Sequence, residues 1–189
     1  VSKGKLGVFF EGPQGSGKTS VSKLVSNNLG VPISRGFLSG LEISDNNNNQ
    51  ELICKKSYEK VCNTRNDSLT IFDRSPISQV AYMMRKENMD YIGCVRKIIN
   101  QLETNFDDMA FFFLDAASET CLERQKKDTP HALHSINDLV GERVVYKNIF
   151  DYLYNLEKMN IKPYFIENNG DKGCEGLCGE IINKIYLCW

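Results

Sequence analysis

Eight residues near the start of the chain have the types and spacing to hold a polyphosphate. Gly12-Pro13-Gln14-Gly15-Ser16-Gly17-Lys18-Thr19 satisfies the pattern G-x-x-x-x-G-K-[ST]. Glycines let the backbone curl so that successive N–H groups point inward at an anion. Lys18 adds a point charge with the reach of a β- or γ-phosphate, and Thr19 offers a hydroxyl to Mg2+. Ser20 follows in the first turn of an expected helix, whose N-terminal dipole faces the same anion. The whole stretch Gly12 to Ser20 is therefore the expected binding segment for a nucleoside triphosphate, with ATP and Mg2+ as the expected cofactors.

A second group lies at Asp73-Arg74-Ser75-Pro76, after the apolar run Leu69–Phe72. An acidic residue at a strand tip beside a phosphate loop is where a Mg2+-organising carboxylate belongs. Arg74 carries a planar fork suited to phosphate, and Pro76 is well placed to open a helix. The competing reading is a surface Asp–Arg pair with a Ser-Pro turn. A third group, Glu123-Arg124-Gln125-Lys126-Lys127-Asp128, follows Asp115. Its charges suit either a solvated helix face or a lid, about residues 121–135, that closes over a transferring group. His131 and His134 fall in the loop beyond and are not expected to be catalysts. Arg143 and Tyr146 lie on a long helix whose stripe Phe150, Leu153, Leu156 is chiefly packing, and Arg143 is read either as surface charge or as facing the phosphates.

These groups need a scaffold that brings strand tips together. Short apolar runs at Leu6–Phe10, Val31–Ser34, Leu69–Phe72, Ala110–Leu114 and Lys162–Ile166 read as strands. Helical patterns over Lys18–Leu29, Glu51–Cys62, Ile77–Glu87, Tyr91–Glu103, Glu119–Lys127, Ile136–Met159 and Gly173–Tyr186 separate them. Alternation of this kind predicts an α/β fold: a five-stranded parallel sheet flanked by helices in three layers, with a helical lid and ligands beyond the carboxyl ends of the strands. One domain over residues 1–189 is the economical expectation. Asp45–Gln50 is a polar stretch read as a surface loop without function. Glu167-Asn168-Asn169-Gly170-Asp171 is read either as a loop offering backbone groups to a purine edge or as a plain Asn-Gly turn.

Bulk properties narrow the partners. The 189 residues are 41% hydrophobic and 25% charged, with a net charge of −1. That is ordinary globular composition, with no global basic field to recruit nucleic acid. The apolar runs are too short to span a bilayer, and the chain enters its first strand almost at once, so neither membrane insertion nor a signal peptide is expected. The seven cysteines are odd in number and lack framework spacing. Reduced thiols in an intracellular, cytoplasmic setting are the expectation. Cys174 and Cys178 stand four apart without a second pair at zinc spacing, which favours packing over metal binding.

In their order, Phe10-Glu11-Gly12 running into the phosphate loop, Asp73-Arg74-Ser75 with Ser78 and Ala81-Tyr82, Leu122-Glu123-Arg124, Arg143-x-x-Tyr146 and the terminal Tyr164-Phe165-Ile166-Glu167-Asn168-Asn169 resemble the thymidylate kinase and deoxynucleoside kinase branch of the P-loop kinases. The resemblance implies that Lys18 and the loop amides hold ATP. It implies that Thr19 and Asp73 organise Mg2+, that Arg74 contacts the acceptor or the transferring group, and that Arg124 stabilises transition-state charge. Arg35 stands roughly where the family places an acceptor-binding Arg, and a homodimer is implied. Gln14 stands where thymidylate kinases carry Asp and deoxynucleoside kinases often an apolar residue. Residues 36–68 match no motif, and the lid has one clear Arg plus lysines.

The expected activity is transfer of a γ-phosphoryl group to a (deoxy)nucleoside monophosphate or a nucleoside. A phosphate acceptor needs cations, which Arg35 and Arg74 supply. A hydroxyl acceptor needs a carboxylate base, for which Glu42 and Asp73 are the candidates. Alternatives are a kinase for a hydroxyl of a modified base or end in nucleic acid, and a non-catalytic nucleotide-binding or GTPase-like regulatory module. A regulatory GTPase lacks its guanine-reading N/T-K-x-D here, and a non-catalytic module would be expected to lose Lys18 or Asp73.

Overall fold

The computed structural model describes residues 4–35, 59, 68–84, 91–128 and 134–188. Five parallel strands form one sheet in the order β2-β3-β1-β4-β5: β1 Leu6–Glu11, β2 Ile33–Arg35, β3 Leu69–Asp73, β4 Asp108–Asp115 and β5 Ile161–Glu167. The helices are α1 Lys18–Leu29, α2 Pro76–Met84, α3 Tyr91–Leu102, α4 Ser118–Asp128, α5 Ile136–Asn155 and α6 Gly173–Cys188. The expected α/β class, five parallel strands and flanking helices are all present.

Strand alternation builds the two cores. On one face Phe9 stacks between Phe72 and Phe111, with ring centroids 4.9 and 4.8 Å away, a ladder across three neighbouring strands. Ile77 and Val80 of α2, Ile99 of α3 and Ile149 of α5 close over it. On the other face Val8, Phe10, Phe112 and Leu114 meet Val21 and Val25 of α1 and Ile181 and Ile185 of α6. Residues one apart along β1 thus feed opposite layers, as the two-residue repeat of a strand requires. A sheet covered on both faces must be apolar throughout, which accounts for Phe111-Phe112-Phe113 reading as a continuous run.

Several boundaries differ from the sequence expectation. Helix α5 ends at Asn155, short of Met159, because Leu156 N–H turns back to Leu153 O and Glu157 adopts φ 51°. Strand β2 begins at Ile33 because Val31 N–H is taken by Ser26 O at the end of α1. β3 extends to Asp73, β4 runs from Asp108 to Asp115, β5 from Ile161 to Glu167, and α6 continues to Cys188. The expected helix over 51–62 lies outside the described residues except for Glu59, and the 45–50 loop lies outside them entirely. Among the described residues no helix is long and apolar enough to cross a membrane. No cluster of His, Cys, Asp and Glu there is arranged to hold a metal, and Cys178 is buried in the α6 core.

Candidate active site

Because every strand is parallel, Glu11, Asp73, Asp115 and Glu167 all end on one edge of the sheet. The phosphate loop leaves β1 between β3 on one side and β4 on the other, the point at which open α/β sheets bind ligands. Gly15 and Gly17 adopt φ 85° and 93°, the left-handed region that favours glycine. The space is as strict as the torsion: a Cβ on Gly15 would lie 2.4 Å from the Cys121 carbonyl oxygen.

Lys18 reaches back across the loop and donates to Gly12 O at 2.7 Å and Pro13 O at 2.6 Å. Burial lowers its ammonium to about 7, and the neighbouring Arg74 guanidinium acts in the same direction; Asp73, Glu142 and Glu11 oppose. Thr19 Oγ1 donates to Asp73 Oδ2 at 2.7 Å. Asp73 Oδ1 is buried and has no hydrogen-bond partner among the described residues. An orphaned carboxylate oxygen beside a threonine hydroxyl is the donor set a hard cation takes, so these residues fit Mg2+. Arg74 sits at φ 81°, uncommon for a side chain of that size, and its N–H is tied to Phe10 O at 3.1 Å.

The loop's outward carbonyls are held by side chains from distant segments. Arg124 donates to Gly15 O at 3.3 Å and to Asn168 O at 3.2 Å. Gln125 Nε2 donates to Gln14 O at 3.0 Å, and Asn168 Nδ2 to Ser16 O at 2.7 Å. A cleft of ≈ 400 Å³ opens over Gly17, Lys18 and Thr19, with Arg74, Arg124 and Asn168 on its walls. That volume is in the range of small-molecule sites.

The structure therefore brings together Lys18, Thr19, Asp73, Arg74 and Arg124. The first part of the expected lid, 121–128, is the body of α4 and is docked on the loop; 129–133 lie outside the described residues. Arg143 forms a bidentate pair with Asp115, at 2.7 and 2.6 Å, in a separate cleft that also includes Lys147 and Phe165. Arg35 closes β2 in register with Asp73, whereas Glu42 and His131 lie outside the described residues.

Glu11 stands in the sequence only as part of the Phe10-Glu11-Gly12 resemblance, with no role assigned to its side chain. It is fully buried at the tip of β1, accepting from Ser75 N–H at 2.8 Å and bonded to the Ser78 hydroxyl. Burial pushes its carboxyl up to about 7, although Ser75, Ser78 and Lys18 pull the other way. The available signal was a carboxylate closing an otherwise apolar strand, a position that is expensive without a purpose. Gln125 and Asn168 stand within stretches singled out in the sequence, but nothing there, nor in Glu142, signals that these side chains bond the phosphate loop.

Neither a protein-family model nor a curated protein sequence matches the chain. Solved structures do. Deoxyadenosine kinase from M. mycoides with bound dCTP superimposes with a TM-score of 0.70 at 17% identity, covering 96% of this chain and 99% of that one. The same kinase with bound dATP gives 0.65 at 18% identity, covering 96% and 99%. The YorR protein from Bacillus subtilis in complex with phosphorylated GDP gives 0.65 at 18% identity, covering 97% and 96%. The chain has the P-loop kinase fold. Within that fold the cleft over Lys18 lies at the carboxyl edge of the sheet.

Proposed function

We propose that this protein transfers the γ-phosphoryl group of ATP to a small nucleoside or nucleoside monophosphate, a deoxynucleoside being favoured. The observation that carries the reading is the Thr19–Asp73 pair at the foot of a complete phosphate loop, with Asp73 Oδ1 buried and without a partner among the described residues. The loop amides and Lys18 would cradle the donor phosphates, and Arg74, held at an uncommon backbone angle, would offer its guanidinium to the transferring group. Thr19 and Asp73 would hold Mg2+, which would neutralise negative charge on the donor phosphates. Arg124, braced against the loop and Asn168, lies on the donor side of the cleft.

A hydroxyl acceptor needs a carboxylate to take its proton, for which Glu42 and Asp73 are the candidates, whereas a phosphate acceptor needs cations and no base. With a hydroxyl acceptor the acceptor oxygen bonds to the γ-phosphorus, the bond to the β–γ bridging oxygen breaks to leave ADP, and the hydroxyl proton passes to that carboxylate. The nucleosides and nucleotides named with the neighbouring structures support the same class of acceptor. The test is incubation with ATP, Mg2+ and a panel of nucleosides, nucleoside monophosphates and oligonucleotides. ADP formation dependent on a deoxynucleoside is expected. Turnover with oligonucleotide ends alone would transfer the activity to nucleic acid. No acceptor-dependent ADP across the panel would leave a nucleotide-binding module.

A further inference from the structure

The peptide of Gln14 is gripped from both sides by two buried side chains that the phosphoryl-transfer reading does not use. Glu142 of α5 accepts the Gln14 N–H through Oε2 at 3.0 Å. Gln125 of α4 donates to the Gln14 carbonyl at 3.0 Å. The partners are 128 and 111 residues from Gln14 in sequence, so neither contact is a by-product of local chain geometry. Both side chains are nearly sealed from solvent, at 4% and 2% exposure. Burying a carboxylate is costly unless it is compensated, and here Oε2 takes a loop N–H while Oε1 lies against His134.

His134 closes the ring. Its backbone N–H donates to Gln125 Oε1 at 3.1 Å, which fixes the amide so that Nε2 faces Gln14. Its imidazole Nδ1 lies 3.2 Å from Glu142 Oε1. The phosphate loop, the end of α4 and the start of α5 are thereby joined through four residues. A phosphate loop works by presenting N–H groups in a fixed curl, and a curl that must first be ordered by the ligand gives up binding energy.

We propose that Glu142 and Gln125 are positioning residues that hold the Gln14 peptide and so fix the phosphate loop in its binding shape before nucleotide arrives. The proposal rests on the reading of that loop as the donor site. It concerns the loop's preorganisation, and neither side chain is required to touch the nucleotide.

The experiment measures amide hydrogen exchange of the loop in the unliganded protein, alongside ATP affinity. Glu142→Ala is expected to raise exchange at the Gln14 amide at least about tenfold and to weaken ATP binding by about tenfold. Glu142→Gln is expected to restore much of the protection, because an amide oxygen still accepts that N–H. Gln125→Ala tests the carbonyl side with Glu142 in place, and is expected to loosen the same loop amides even where Glu142→Ala lowers overall stability. Unchanged protection at Gln14 in Glu142→Ala overturns the proposal. So does Glu142→Gln opening the loop as far as alanine does, and so does an opened loop in both variants that binds ATP with native affinity. A protein that binds ATP and shows these exchange effects, yet transfers to no acceptor, overturns the kinase reading alone. One that binds no ATP overturns both.

Discussion

Thr19 Oγ1 and Asp73 Oδ2 stand 2.7 Å apart, joining the phosphate loop to the tip of the neighbouring strand and leaving the second Asp73 oxygen buried and unpartnered among the described residues. A carboxylate in that state is costly in the empty protein and becomes favourable once a cation completes it. Asp73→Asn keeps the shape and an acceptor for Thr19 but removes the charge. We expect it to weaken Mg2+ binding in the nucleotide complex by about 10–100-fold, the range for altered metal surroundings. The readout is the unfolding midpoint with ATP alone and with ATP plus Mg2+. The added rise from Mg2+ should disappear in the variant, and an undiminished rise would remove Asp73 from the metal site.

Glu11 gives a pH dependence with a defined sign. Its carboxyl titrates near 7 in the folded protein against 4.5 in the unfolded chain, so the native state holds more protons across that window. Its contribution to stability is full below 4.5 and is lost as pH rises through 7. Glu11→Gln preserves an acceptor for Ser75 N–H and a partner for Ser78. It should therefore retain ATP binding and remove the fall in stability between about pH 4.5 and 7, read as urea midpoints at each pH. A fall of unchanged size in this variant would assign it to another group.

The phosphate loop, Asp73 and the strand–helix alternation were legible in the sequence because each depends on short-range order. A glycine-rich turn, a strand and a helix lie adjacent along the chain, and helix α1 was read to its ends because Gly30 supplies its left-handed cap. The bracing contacts around the loop were not legible, although Arg124 stood out as a candidate. Arg124, Gln125, Glu142 and Asn168 reach the loop from over a hundred residues away, and a buried glutamate on a helix looks like a surface one until packing is known. Arg143 shows the same limit from the other side, since only three dimensions reveal that Asp115 engages it.

Gly15 is expected to be far less tolerant than Gly30, although both have positive φ, 85° and 65°. Nothing lies within 4 Å of a Cβ at Gly30, so Gly30→Ala carries only the left-handed torsion, roughly 1–2 kcal/mol. At Gly15 the Cβ also meets the Cys121 backbone carbonyl at 2.4 Å, and α4 must move away from the loop. Urea unfolding should show the larger loss for Gly15→Ala, with weakened ATP binding because Arg124 and Gln125 travel with α4. Equal losses at the two sites would mean that the contact between loop and α4 yields easily.

Lys18 links nucleotide binding to proton uptake. In the unliganded protein burial holds its ammonium near 7, against 10.5 for the unfolded chain. Between those values the unfolded chain binds the proton that the native loop releases, so this group makes stability rise with pH over that interval. A polyphosphate beside Lys18 adds the opposite charge and favours the protonated form. At about pH 8 ATP binding should therefore draw in close to one proton, and affinity should fall by up to about tenfold per pH unit above 7. At about pH 6 the proton is already present and uptake should vanish. Calorimetry at each pH in buffers of different ionisation enthalpy counts the protons directly. Lys18→Met should abolish the uptake and the turnover while stabilising the empty protein at neutral pH, since it removes a buried charge. A binding enthalpy independent of buffer at pH 8 would show that Lys18 is already charged in the empty loop, with its proton held by Gly12 O and Pro13 O.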